Sequence, residues 1–173
     1  MARQFRLWEN AAVVSLLKPA ADAGGRTSTY VSLRDCHKAF IVCYVTQGNA
    51  ATIALTPLQA QDSSGTNSKA ITATPIAYNL DTDTVPADQF TVGTTAANYT
   101  TDAGTKTKIV IFEIEPAECM DLTWGTNNAS GVPQQFNHLA IQTGASNAAN
   151  ITAAILVAHP LRNARQNPIT MNV

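Results

Sequence analysis

Ala39-Phe-Ile-Val-Cys-Tyr-Val45, then Gln47-Gly48-Asn49, then Ala51-Thr-Ile-Ala-Leu-Thr56 is the stretch that decides the fold class. The first run is continuously apolar, but it is short and rich in β-branched and aromatic side chains, so it reads as a strand and not as a helix. A run without alternation predicts a strand buried on both faces. Gly48 and Asn49 tolerate positive φ and the second run returns directly after them, so residues 39–56 are expected to form a β-hairpin that Pro57 ends.

Similar signals extend in both directions. Residues 29–33 alternate, residues 70–74 and 76–80 flank Pro75, residues 89–92 are short, and Lys106-Thr-Lys-Ile-Val-Ile-Phe-Glu-Ile114 is a second strong strand. Residues 138–142 and 151–158 complete the set; the last is rich in Ala, but Ile151, Ile155, Leu156 and Val157 favour a strand over a helix. Breakers separate them at Asp62–Asn67, Asp81–Pro86, Asp102–Gly104, Gly125–Gly131 and Thr143–Asn147. About eight strands and no long segment of 3.6-residue period predict an all-β fold, a single jelly-roll-like β-sandwich. One internal echo, Gly48-Asn-Ala-Ala-Thr-Ile-Ala-Leu55 against Ser146-Asn-Ala-Ala-Asn-Ile-Thr-Ala154, has the look of two matching edges or halves of a sandwich.

The ends differ from the middle. Residues 1–28 are expected to form an N-terminal arm and linker, residues 29–159 the β-sandwich domain, and residues 160–173 a C-terminal arm, both arms extended. Arg3, Phe5, Arg6, Leu7 and Trp8 combine aromatic and Arg side chains in the way interface anchors do, and are the candidate interface residues; the alternative is that Phe5, Leu7 and Trp8 begin a strand of the same domain. Arg3 and Arg6 before the apolar segment 11–17 mimic a signal peptide, but Glu9 and Asn10 interrupt it and the apolar core is short, so no signal peptide is expected.

Composition narrows the function. The chain has 173 residues, 18.3 kDa and a net charge of -1, with 13% charged residues against an average of about 25%. Small polar residues replace the charge: 28 Ala, 22 Thr and 13 Asn. Eleven basic against twelve acidic residues leave no electrostatic footprint for nucleic acid. No apolar stretch reaches the length of a membrane span, so no membrane partner is expected.

No motif carries chemistry, and the chain is expected not to be an enzyme and to use no cofactor and no metal. Cys36, Cys43 and Cys119 are too few and too irregularly spaced for a disulfide framework or a CxxC site, and are read as buried small side chains. His37, His138 and His159 lack partners at ligand spacing. Asp81, Asp83 and Asp88 form an oxygen-rich loop without the central Gly and terminal Glu of a calcium loop, so turn chemistry is expected there. Glu113 and Glu115 share a face and Glu118 follows; they are read as a solvated strand face, with Ile109 and Ile111 pointing elsewhere. Trp124 beside a polar loop is read either as closing the sandwich core or as an exposed stacking residue.

Tyr30-Val-Ser-Leu33, His37-Lys-Ala39, Thr46-Gln-Gly-Asn-Ala-Ala-Thr52 and Gln142-Thr-Gly-Ala-Ser-Asn-Ala-Ala-Asn-Ile151 resemble segments of small structural proteins of tailed bacteriophages. The resemblance implies a virion component, made in the host cytoplasm and located in the capsid. With this size and a sandwich, it best fits a decoration, or cement, protein that binds the outer capsid surface and stabilises capsomer junctions. The partners so implied are the major capsid protein and copies of itself, as dimer or trimer. Two other readings stay open: a tail or head-fibre component, and a glycan-binding receptor-recognition module using Trp124.

Overall fold

The structure is a computed structural model that describes residues 11–84, 89–121 and 134–160. Within them the strands are β1 (Ala12–Ala21), β2 (Arg26–Thr27), β3 (Val31–Ser32), β4 (Cys36–Gln47), β5 (Ala54–Ala60), β6 (Lys69–Ala70) and β7 (Ile76–Asn79). They continue as β8 (Thr91–Val92), β9 (Tyr99–Thr100), β10 (Thr107–Ile114), β11 (Met120–Asp121), β12 (Gln134–Gln135), β13 (His138–Thr143) and β14 (Asn150–Pro160). A single 3₁₀ turn, Pro116–Glu118, follows β10.

Two antiparallel sheets face each other. The first has the order β1-β14-β4-β10-β7-β8 and the second β2-β13-β5-β6, with β3 also on β13 and β9 also on β5. The pairing has a simple logic. The early strands β1, β2 with β3, β4 and β5 pair in turn with β14, β13, β10 and β6, so the chain is one long antiparallel hairpin rolled across two sheets. That winding is the jelly roll, and the expected all-β sandwich is what the chain forms.

Several details differ from the sequence reading. Strand β4 is buried on one face only: Ala39, Ile41, Cys43 and Val45 are fully buried, while Phe40 and Val42 are half-buried and Tyr44 is exposed. The continuous apolar run therefore hides a period of two, with apolar side chains in both rows. Residues 39–56 are not a hairpin either. Both edges of β4 are taken by strands distant in sequence, β14 and β10, and residues 48–53 carry the chain across to β5 in the opposite sheet. Pro57 sits inside β5 rather than ending it, opposite Ile141, and its carbonyl accepts the amide of Ile71. Residues 12–21, assigned from sequence to an arm, form the edge strand β1, paired with β14 from Ala12 opposite Ala158 to Ala21 opposite Ile151 through two register shifts.

The core lies between β4, β10 and β14 on one side and β5 and β13 on the other. Ile41, Val110, Phe112 and Leu156 from the first sheet meet Leu55, Leu139 and Ile141 from the second, all of them fully buried. Side chains of that size each contribute on the order of 1.5–3 kcal/mol when removed from water. The three cysteines are buried thiols, as the sequence implied. The two echo segments meet at one end of the sandwich, where each crosses between the sheets. Asn150 donates to the carbonyl of Ala51 (2.7 Å) and to Ser146 Oγ (2.9 Å), and accepts from the amide of Asn49 (2.8 Å).

Candidate functional site

The alternation that fills the core also sets an apolar face outside it. Ile111 of β10, Val42 of β4 and Ile155 of β14 lie side by side in register on the outer surface of the six-stranded sheet. A second row joins Ile109, Tyr44 and Ala153, and a third joins Glu113, Phe40, Val157 and Val13. Tyr44 is 48% exposed, Val13 50%, Ile151 41% and Ile155 40%. Ile109 and Ile111 share this face with Glu113, so they do not point elsewhere as the sequence reading had them. Contiguous exposed apolar surface of this kind is characteristic of interaction sites, whereas isolated exposed apolar residues are ordinary.

A charged cluster, one lysine between two carboxylates, stands at one end of these rows. Lys38 is ion-paired with Glu113 and lies 3.9 Å from Glu115. Its ammonium also sits 5.9 Å from the centroid of the Phe40 ring. The hydrogen bond to Glu113 comes first in holding the Lys38 pKa above its ordinary value. These carboxylates thus have a cation as partner, and the expected solvated strand face is where they stand. Between β10 and the segment 71–75 is a cavity of about 140 Å³ lined by Ile71, Thr74, Glu115 and Cys119 among others.

The remaining sequence candidates resolve into structural roles. Asp81 accepts from Thr84 and from Lys106 Nζ (2.8 Å), and Asp83 accepts the amide of Thr107 (3.2 Å). The Lys106 hydrogen bond, followed by that of Thr84, pulls the Asp81 carboxyl down to about 2. This is the turn chemistry expected of the loop. His37 and His159 are exposed and meet edge to face, ring centroids 6.4 Å apart, a pairing the sequence spacing concealed. Burial pushes the His138 imidazole below its ordinary value. Among the described residues no three His, Cys, Asp or Glu side chains gather at metal-binding distance, and no helix is long and apolar enough to cross a membrane. Arg3, Phe5, Arg6, Leu7 and Trp8, together with Asp88 and Trp124, lie outside the described residues.

Two buried polar clusters escaped the sequence reading. Asp22, fully buried, accepts from the Arg26 guanidinium (2.9 Å), Thr143 Oγ1 (2.8 Å) and Thr152 Oγ1 (2.5 Å). The same guanidinium reaches the carbonyls of Lys18, Ala20 and Thr152, so one ion pair fastens β1, β2, β13 and β14 together across both sheets. Gly25, between the two partners, has φ +69, and a Cβ there would lie 2.8 Å from the carbonyl of Thr143. Near the echo segments, Lys108 is fully buried and donates to Gln47 Oε1 (2.8 Å), the Asp102 carbonyl (3.0 Å) and the Asp102 carboxylate (2.5 Å). Buried charges persist only when partnered in this way.

No family model matches the sequence, and no curated protein matches it. Among solved structures, the crystal structure of SPBc2 prophage-derived protein YomS is similar over 86% of this chain and 93% of that one, at 7% identity and a TM-score of 0.44.

Proposed function

We propose that this chain is a structural protein of a tailed-phage virion that binds the outer capsid surface and stabilises capsomer junctions. The observation that carries the reading is the broad, nearly uncharged apolar face of the six-stranded sheet, a surface whose physical chemistry favours being covered by protein. The strand-and-turn phrases that resemble phage structural proteins agree with it. So does a chain whose net charge is close to zero, since copies packed closely on a symmetric lattice must not repel one another.

In this reading the capsid contact adds binding energy across a seam and so shifts the shell's equilibrium away from disassembly by mass action. Arg3, Phe5, Arg6, Leu7 and Trp8 are the proposed anchors on the major capsid protein, because Trp and Arg dominate interface hot spots. The deciding experiment separates heads from tails of purified particles and images the heads at subunit resolution. Many copies on the outer shell, lost when residues 1–10 are deleted, is the expected result. Recovery in the tail fraction alone sinks the decoration reading, and unchanged incorporation after the deletion sinks the anchor assignment.

A further inference from the structure

We infer that the outer face of the six-stranded sheet is a self-association surface, occupied by the same face of a second copy of this chain. The inference rests on the reading above: copies meet through this face, while Arg3, Phe5, Arg6, Leu7 and Trp8 are left to contact the capsid. Three properties of the face point to a second copy. Its charged cluster, Lys38 with Glu113 and Glu115, stands at one end, so the apolar middle rows offer a charged partner nothing to complement. Its central rows carry Ile109, Ile111, Val42, Tyr44 and Ile155 on a regular pleat. Two such faces can interdigitate about 10 Å apart, at the aligned angle that packs one sheet on another in any sandwich.

Size is the third property. Four strands, β1, β14, β4 and β10, at about 4.8 Å spacing and about eight residues at 3.3 Å per residue give a projected face of roughly 500 Å². Two copies then bury roughly 1,000 Å², the small end of specific interfaces and above the size of ordinary crystal packing. A twofold arrangement uses the same patch on both copies and closes on itself, so it yields a dimer and not a fibre.

The test is sedimentation equilibrium on the full chain, with Val42→Lys and Tyr44→Lys on the face and Gln142→Lys on the opposite sheet. The wild-type chain is expected to form a dimer. Each face variant is expected to weaken it by at least about tenfold, because an unpaired charge is forced into the interface centre. Gln142→Lys should leave it intact, and circular dichroism should show all variants folded. Tyr44 is half in water in the single chain, so its replacement tests the interface even where Val42→Lys perturbs the fold. A wild-type chain that stays monomeric overturns the inference, as does a dimer that both face variants leave untouched, or one displaced by a different protein that takes the face. The two proposals fail separately. A face-dependent dimer absent from particles refutes only the virion reading, and a monomer present on capsids refutes only this one.

Discussion

The Lys108 ammonium, fully buried, lies 2.5 Å from an Asp102 carboxylate that is itself half exposed. The two partners therefore stand in different dielectric surroundings, and removing them has unequal effects. Asp102→Ala strands a buried cation with only the Gln47 and main-chain acceptors, and we expect a loss of about 2 kcal/mol, below the ~3–5 kcal/mol typical when a fully buried pair is broken. Lys108→Met removes the buried charge and frees Asp102 to face water, while Gln47 Oε1 still accepts from Thr101 (2.9 Å), so a change under about 1 kcal/mol is expected. Urea unfolding at one fixed protein concentration measures both. A larger loss for Lys108→Met than for Asp102→Ala contradicts the assignment.

Asp22 and Arg26 predict the opposite pattern, because here the carboxylate is the enclosed partner. Arg26→Lys keeps the charge but cannot reach Asp22 and the carbonyls of Lys18, Ala20 and Thr152 together. We expect it to cost about 2 kcal/mol, and Arg26→Ala about 3–5 kcal/mol, since the latter leaves a buried carboxylate with hydroxyl partners alone. Hydrogen exchange should show the loosening first at β1, the edge strand held by this clamp. Equal stability of Arg26→Lys and wild type removes the clamp from the account.

Much of this fold was legible where local chemistry and global position agree. Residues 39–45, 107–114, 138–142 and 151–158 are strand formers by composition, and each lies in a strand. Turn residues such as Gly48-Asn49 announce that the chain reverses, but not which sheet receives it, and the hairpin expectation failed there. The interaction face was illegible for a related reason. When both rows of a strand are apolar, composition no longer distinguishes the row facing the core from the row facing out, and only register with β10 and β14 separates Val42 and Tyr44 from Ile41 and Cys43. Lys108, by contrast, was signalled: it stands in the same alternate row as Val110, Phe112 and Ile114. Asp22 and Arg26 gave no such sign, because their four-residue spacing is ordinary in sequence and meaningful only at this corner.

Stability should fall on acidification in two windows. Asp81 is pulled down to about 2, chiefly by Lys106, and Asp102 is lowered, chiefly by Lys108. A carboxyl depressed in the folded state contributes stability that is present above its unfolded value near 4 and is lost as pH falls toward its folded value. His138, lowered by burial, adds an earlier loss that begins as pH drops through about 6.5, because the unfolded chain then takes up a proton that the folded one resists. Melting temperature measured from pH 8 to pH 2 should decline gently below about pH 6.5 and more steeply below about pH 4. His138→Asn should flatten the first limb and Asp81→Asn part of the second. A melting temperature that rises on acidification through either window contradicts these assignments.

The buried thiols provide a reporter of opening that needs no added probe. Cys43 lies in the inward row between Val110 and Ala154, and burial pushes its thiol up to about 12; Cys36 is raised to about 11 for the same reason. Alkylation proceeds through the thiolate, so at pH 8 an ionised fraction of about one in a thousand or less remains at these sites, against roughly a quarter for a free cysteine. Enclosure within the sandwich adds a steric block, which Cys119 shares. All three should resist iodoacetamide in the folded chain and react together in urea, with native-state labelling limited by transient unfolding. Arg26 clamps the Ala20–Thr152 end of β1 and β14, close to the Ala154 that faces Cys43 and at the far end of the sheet from the Pro160 that faces Cys36, so Arg26→Ala should speed Cys43 labelling before that of Cys36. Mass spectrometry of timed samples measures that order, and fast stoichiometric labelling of Cys43 in the native protein is the result that breaks the argument.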